Sequence, residues 1–214
     1  MTAFIERYPL VTFFAISIGA VMGVAFSANL LTLFVFYEML TLSTYPLVTH
    51  KGTDEARKGG RVYLGILLST SIAFFLPAII WTYHTAGTLD FQPGGVFSGS
   101  DNNFVIGILL LLFFFGVGKA ALMPLHFWLP NAMEAPTPVS AFLHSATMVK
   151  AGVYLLARLF PVLGGTALWL GTLSLAGGAT MLLGAWLALQ GQITIGTVIA
   201  FLGALHYWWP KMFG

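Results

Sequence analysis

Cysteine is absent from these 214 residues. That removes disulfides, thiolate metal sites and iron–sulfur clusters together. Charge is scarce as well. Lys+Arg number 9 and Asp+Glu 7, so 7% of the chain is charged, where a soluble domain carries about 25%. The few cations form no basic stripe, which excludes a nucleic-acid partner. No HxxxH or ExxH spacing occurs, so no pair of ligands lies one turn apart on a helix for haem or metal. No metal and no cofactor is therefore expected. No soluble domain, low-complexity tract or internal sequence repeat is visible. What remains is apolar: 58% of residues are hydrophobic and the mean hydropathy is +0.89. A soluble fold of this size cannot hide that much apolar surface, so the solvent for most of it is a bilayer.

The N-terminus, MTAFIERYPLVTFF, makes a poor signal peptide. Glu6 and Arg7 nearly cancel, and the apolar run continues well past a signal-peptide core. The first span is expected to be retained. Residues 9–49 are apolar except for Glu38. At about 20 residues per crossing, they suit two spans, 9–27 and 29–49, turning near Ser27-Ala28-Asn29. The stretch HKGTDEARKGGR comes next, with Lys51, Arg57, Lys58 and Arg61 against Asp54 and Glu55. A third span is expected at 61–84, kinked near Pro77, then an exposed Gly/Ser/Asn/Pro-rich loop at 85–103 carrying Asp90 and Asp101. Span four is placed at 104–123, a proline-punctuated joint at 124–137, span five at 138–160 and span six at 162–189. Residues 192–209 are long enough for a seventh, with Trp208, Trp209 and Lys211 at an interface. The fold class is thus all-α: a polytopic bundle of six or seven transmembrane helices, one of them broken by proline. Lys and Arg favour the cytoplasmic side. That places the 50–61 loop and the 124–137 joint inside, and the acidic 85–103 loop and Arg158 outside. Arg158 is expected to snorkel.

Four ionisable residues interrupt the apolar spans. Glu38 sits in LTLFVFYEMLTLSTYP, mid-span, where an unpaired carboxylate costs several kcal/mol. It is therefore neutral or paired, and the plain alternative to function is a protonated side chain bonded to a neighbouring helix. Lys119 lies near the end of span four. The hold of a buried ammonium on its proton depends on the carboxylate beside it, and Glu38 is the best one at comparable depth. The plain alternative is snorkelling toward the joint. His144 and Lys150 share span five. On an ideal helix their spacing of six residues puts them roughly 120° apart and about 9 Å along the axis. That suits a water or hydroxyl between them. Ser140 and Thr147 stand four before and three after His144, on its own face. A hydroxyl-lined histidine suits a proton relay. The joint, with Pro124, Pro130, Pro136 and Pro138, resists a continuous helix. Broken helices at membrane depth are tolerated where they line protein or water. His126 and Glu134 in the joint, and His50 and His84 at span ends, read as structural or interfacial.

The stretch GKAALMPLHFWLPNAMEAPTPVSAFLHSATMVKAGVYLLARL resembles the antiporter-like subunits shared by Mrp-type Na+/H+ antiporters and respiratory complex I. NAMEAPTPVSAFLHSATMVKAGVYLLARLFP looks closer to the Mrp side. The resemblance runs back through FYEMLTLSTYPLVTH and forward to GGATMLLGAWLAL, covering about residues 10–188. It implies a glutamate paired with a lysine on a broken helix, and a proton passed to a histidine or lysine on the next helix. The matching positions are Glu38, Lys119, His144 and Lys150. A full member has about fourteen helices in two inverted five-helix repeats, so residues 1–189 look like one five-helix repeat plus one helix. Residues 190–214 form an atypical hydrophobic segment. Within it GQITIGTVIAF is similar to part of ABC-transporter membrane domains, and LHYWWPKMFG to a stretch of haem-copper oxidase subunit I. Neither carries a site.

The expected function is a membrane subunit of a multi-subunit monovalent cation/proton antiporter, providing a proton half-channel in a bacterial inner membrane. Its expected partners are other membrane subunits, the lipid bilayer, protons and Na+. One alternative is a proton-pumping subunit of an NADH:quinone oxidoreductase or hydrogenase-type complex. From another class comes a truncated or artificial helical bundle that inserts without transporting.

Overall fold

The computed structural model describes residues 2–92, 95–97, 103–121, 125–132, 135–163 and 167–191. Among them every regular element is helical. Two compact units divide the chain, Met1–Leu170 and Gly171–Gly214. The candidate seventh span at 192–209 and the residues Pro124, Glu134 and Asp101 lie outside the described residues.

Helix α1 (Thr2–Phe26) and α2 (Leu30–Val48) form an antiparallel hairpin. The turn between them is the one expected at Ser27–Asn29. Asn29 caps α2, its side-chain oxygen accepting from the Thr32 amide at 2.8 Å, which satisfies one of the four free N–H groups of the first turn. A Cβ on Gly23 would run into the Phe36 ring, so this glycine sets the close crossing of the two helices. The Ser17 and Ser43 hydroxyls meet across it at 3.0 Å.

Thr53 caps α3 (Asp54–Thr70), and Asp54 and Glu55 in its first turn complement the helix dipole. A five-residue π-turn, Ser71–Phe75, joins α3 to α4 (Leu76–Ala86), giving one span over Asp54–Ala86. The widened turn is the physical form of the kink expected near Pro77. The Leu76 amide reaches back five residues to the Ser71 carbonyl, and Pro77 then falls in the first turn of α4, where its missing N–H is harmless.

Helix α5 (Asn103–Gly116) ends earlier than the sequence suggests. The break falls at Val117–Ala121, around a 3-10 turn at Gly118–Ala120, ahead of Pro124. Ala121 takes a left-handed conformation (φ 52°), which costs a non-glycine residue about 1–2 kcal/mol. Close packing holds the break. A Cβ on Gly116 would collide with Phe75, one on Gly118 with Thr70, and one on Gly152 with the backbone of Ala120. The π-turn of the third span and a glycine of the fifth therefore press on the broken segment from two sides. A second 3-10 turn (Leu125–Phe127) and α6 (Trp128–Ala132) come after it.

The fifth span comprises α7 (Thr137–Ala141), a π-turn at Phe142–Thr147, α8 (Met148–Arg158) and α9 (Phe160–Leu163). Helix α10 (Ala167–Leu189) is the sixth. Four spans are long and apolar enough to cross a membrane, and Leu10–Phe26 and Asn103–Gly116 are shorter apolar helices. The protein is a multi-pass membrane protein.

The end of the first unit that carries the α1–α2 turn is tied rather than open. Leu30 and Phe91 amides bond to the Leu89 and Ala28 carbonyls, and the Val96 and Phe97 amides to Pro161 and Val162. Arg158 does not snorkel freely. It donates to the Ser27 carbonyl at 3.0 Å and lies over the Phe91 ring at 4.3 Å. It thus joins the fifth span to the α1–α2 turn and to a loop that the sequence reads as merely exposed.

Candidate proton-relay site

The helix break carries Lys119 into the interior. Its side chain is 1% exposed, and its ammonium nitrogen lies 3.6 Å from a Glu38 carboxylate oxygen, with the Glu38 side chain 14% exposed. This is the only ion pair among the described residues. The ammonium also donates to the Tyr37 carbonyl at 2.8 Å and sits 3.1 Å from the centre of the Tyr37 ring. The Lys119 amide, left without a helical partner by the break, donates to the Tyr37 hydroxyl at 3.3 Å. The lysine is thus held by one turn of α2, through a carboxylate, a carbonyl, a ring face and a hydroxyl. A cation over an aromatic face gains up to about 2 kcal/mol when desolvated.

The two partners are not equally satisfied. At 3.6 Å the pair attracts electrostatically but forms no hydrogen bond, and neither Glu38 oxygen has a hydrogen-bond partner among the described residues. Glu38 also lines an open groove of about 490 Å³ between α1 and α2, walled by Phe13, Phe34 and Leu42 with the Ser43 hydroxyl. Both carboxylate oxygens are themselves buried, so it is the flank of the Glu38 side chain that borders the groove.

His144 occupies the π-turn of the fifth span and is half-buried. Both of its ring nitrogens lack a partner among the described residues. Its ring stacks toward Trp128 at 6.4 Å and 27°. Trp128 is fully buried, and its indole N–H donates to the Gly118 carbonyl at 2.9 Å, one residue before Lys119. Trp128 therefore connects the lysine's backbone to the histidine's ring, a role the sequence alone does not reveal. The one available signal is an aromatic in LHFWLP, between two breaks. Tyr37 is a second functional neighbour that the sequence does not single out, although it stands beside Glu38 in the chain.

The hydroxyls expected around His144 turn elsewhere. Ser140 donates to the Ala135 carbonyl at 3.3 Å and Thr147 to Phe142 at 3.1 Å. The π-turn explains the difference. An inserted residue rotates the rest of the helix by about 100° relative to an unbroken one, so positions three or six beyond His144 leave their ideal bearings. Lys150 is exposed. The structure brings Glu38 and Lys119 together, places His144 behind Trp128, and leaves Lys150 on the surface of the described chain. His50 and His84 are exposed, as their span-end positions suggest, and His126 lies against Phe127 at 4.3 Å. No group of three potential metal ligands occurs among the described residues.

Comparison with known proteins agrees with this fold. The chain is 41% identical over 197 residues to the A/B subunit of the probable K(+)/H(+) antiporter of Rhizobium meliloti, matching 87% of this chain and 19% of that one. It is 38% identical to the A-type subunit of the Na(+)/H(+) antiporter of Alkalihalophilus pseudofirmus, over 86% of this chain and 23% of the relative. It is 34% identical to the chloroplastic NAD(P)H-quinone oxidoreductase subunit 5 of Cryptomeria japonica, over 88% and 27%. The chain thus spans about a fifth to a quarter of the length of these relatives. Among solved structures, the Mrp complex from Dietzia sp. DQ12-45-1b superposes with a TM-score of 0.73 at 28% identity, over 83% of this chain and 20% of that one. The membrane-bound sulfane sulfur reductase, an archaeal respiratory membrane complex, superposes at 0.68 and 30% identity, over 76% and 34%. Residues 27–203 match the family described as NADH:quinone oxidoreductase/Mrp antiporter, TM, and the chain belongs to that family.

Proposed function

We propose that this segment provides a proton half-channel in one subunit of a multi-subunit monovalent cation/proton antiporter of a bacterial inner membrane. Protons reach Glu38, exchange with Lys119, and continue toward His144 and Lys150. The carrying observation is the fully enclosed Lys119 ammonium, 3.6 Å from a carboxylate whose buried oxygens have no hydrogen-bond partner among the described residues. An ion pair confined to apolar surroundings interacts strongly with any charge that approaches it. A proton arriving at Glu38 therefore weakens the hold on Lys119, and the pair acts as one switch. The antiporter reading is favoured by relatives at 41% and 38% identity whose names carry K(+)/H(+) and Na(+)/H(+). Na+ is the first cation to try.

The test is Lys119→Ala in the complete assembly, with cation-linked proton exchange followed in everted vesicles. The expected result is loss of exchange with normal assembly. Unchanged exchange would remove Lys119 from the mechanism. The second reading, a proton-pumping arm of a quinone-linked oxidoreductase, rests on the relative from Cryptomeria japonica. Redox-driven rather than cation-driven proton movement in the same vesicles would select it. Normal insertion and assembly with neither activity would leave a non-transporting helical bundle.

A further inference from the structure

The charged residues the relay does not use gather at the opposite end of α2 from its capping Asn29. A cleft of about 660 Å³ opens there between the last turn of α2 and the first turns of α3. Its walls carry Arg57, Lys58 and Arg61, with Tyr45, Thr49 and the single carboxylate Asp54. Its volume is in the range of small-molecule sites. The floor is set by Gly60. A Cβ there would strike Thr49 and crowd Tyr45, so the two helices approach closely beneath the cations. None of the three cations forms an ion pair among the described residues. The cleft therefore holds three positive charges against one negative, without partners to neutralise them.

We propose that this cleft binds the phosphate of an anionic phospholipid headgroup from the cytoplasmic leaflet. Arg57 and Arg61 stand four residues apart and share a face of α3, so their guanidinium groups can grip one phosphate with paired N–H donors. Lys58 adds a point charge. The Tyr45 hydroxyl, on the facing helix, adds a donor. The register of α3 favours a lipid over a free ion. Leu64 and Leu68 continue the same face at positions three and seven beyond Arg61, and both are partly exposed. A basic cradle thus sits directly above an apolar stripe, which is the order in which a phospholipid presents its headgroup and acyl chains. The excess of Lys and Arg places this end of the hairpin on the cytoplasmic side, and anionic lipids are concentrated there.

The test uses the complete subunit in its native assembly, purified and reconstituted in nanodiscs of phosphatidylcholine with a limiting amount of phosphatidylglycerol. Retained lipid is read by native mass spectrometry. The double variant R57Q/R61Q is expected to lower phosphatidylglycerol retention about thirtyfold, while K51Q, outside the cleft, leaves it unchanged. R57K/R61K keeps the charge but loses the paired donors, and is expected to bind between R57Q/R61Q and wild type, which separates loss of the site from loss of folding. Equal retention by wild type and R57Q/R61Q would overturn the proposal. So would displacement of phosphatidylglycerol by millimolar inorganic phosphate, which would make the cleft an ion site. Cross-linking of the cleft to an acidic segment of another subunit, with no lipid retained by the wild type, would overturn it as well.

Discussion

Lys119 and Lys150 lie on segments packed against each other, yet one is enclosed and the other is exposed. Gly152 touches the backbone beside Lys119, so the difference is not one of position along the bundle but of facing. In α8 the buried residues are Met148, Ala151, Gly152 and Leu155, the i, i+3, i+4, i+7 stripe of a core-facing helix. Lys150 falls off that stripe. Lys119 belongs to no stripe, because it sits where the helix is broken. Its freed backbone and its ammonium are both taken up by Tyr37 and Glu38 on α2. An ordinary helix would have aimed Lys119 wherever its register dictated. The break is what lets one residue satisfy a carboxylate, a carbonyl and a ring at once. The exposed lysine has no such company here, and in the proposed relay it is the exit from this segment rather than its switch.

The sharpest way to break the contrast is to remove the partner that makes Lys119 special. Glu38→Gln keeps the size and polarity of the side chain but leaves the enclosed ammonium without its counter-charge. Disrupting a buried pair costs about 3 kcal/mol. Expressed in the transfer barrier, that slows proton exchange about a hundredfold. Glu38→Asp, which keeps the charge and lengthens the gap, is expected to recover part of the rate. Equal rates for Glu38→Gln and wild type, measured by cation-jump proton exchange in vesicles, would show that the pair is structural.

Lys150→Ala removes a charge with no ion-pair partner among the described residues. The expected effect is about fivefold on exchange, the scale of about 1 kcal/mol for an exposed charge. A loss as complete as that of Lys119→Ala would mean that the rest of the subunit covers this face and makes Lys150 a second enclosed switch. The two lysines would then be equivalents rather than opposites.

The residue types and their pattern made much of this legible. The span order, the α1–α2 turn at Ser27–Asn29 and the pairing of Glu38 with Lys119 follow from apolar runs and from the cost of a lone charge among them. The position of the helix break did not. Proline is the visible breaker, and it drew attention to Pro124. The actual break rests on contacts of Gly116, Gly118 and Gly152 with residues far away in sequence, which no local pattern encodes. The two π-turns were hidden for the same reason. A widened turn leaves no composition signal, and it undoes any bearing computed with about 3.6 residues per turn. That is why Thr147 does not serve His144. Arg158 is a parallel case: its place near a span end suggests snorkelling, while its partners Ser27 and Phe91 come from other segments.

Trp128 offers the mildest perturbation of the contrast. Its indole N–H holds the Gly118 carbonyl at 2.9 Å, and its ring lies between the lysine-bearing turn and His144. Trp128→Phe keeps a ring against His144 and deletes the donor. The Gly118 carbonyl then loses a buried partner, at a cost of about 1–3 kcal/mol, so the assembly is expected to unfold at a lower temperature. Exchange should fall only about twofold to threefold, because Glu38 and Tyr37 still fix the ammonium. A drop as large as that of Glu38→Gln, with thermal stability unchanged, would instead make the indole part of the proton path. Lys119 would then depend on the fifth span as much as on α2, and the distinction between an enclosed switch and an exposed exit would have to be drawn between helices rather than between lysines.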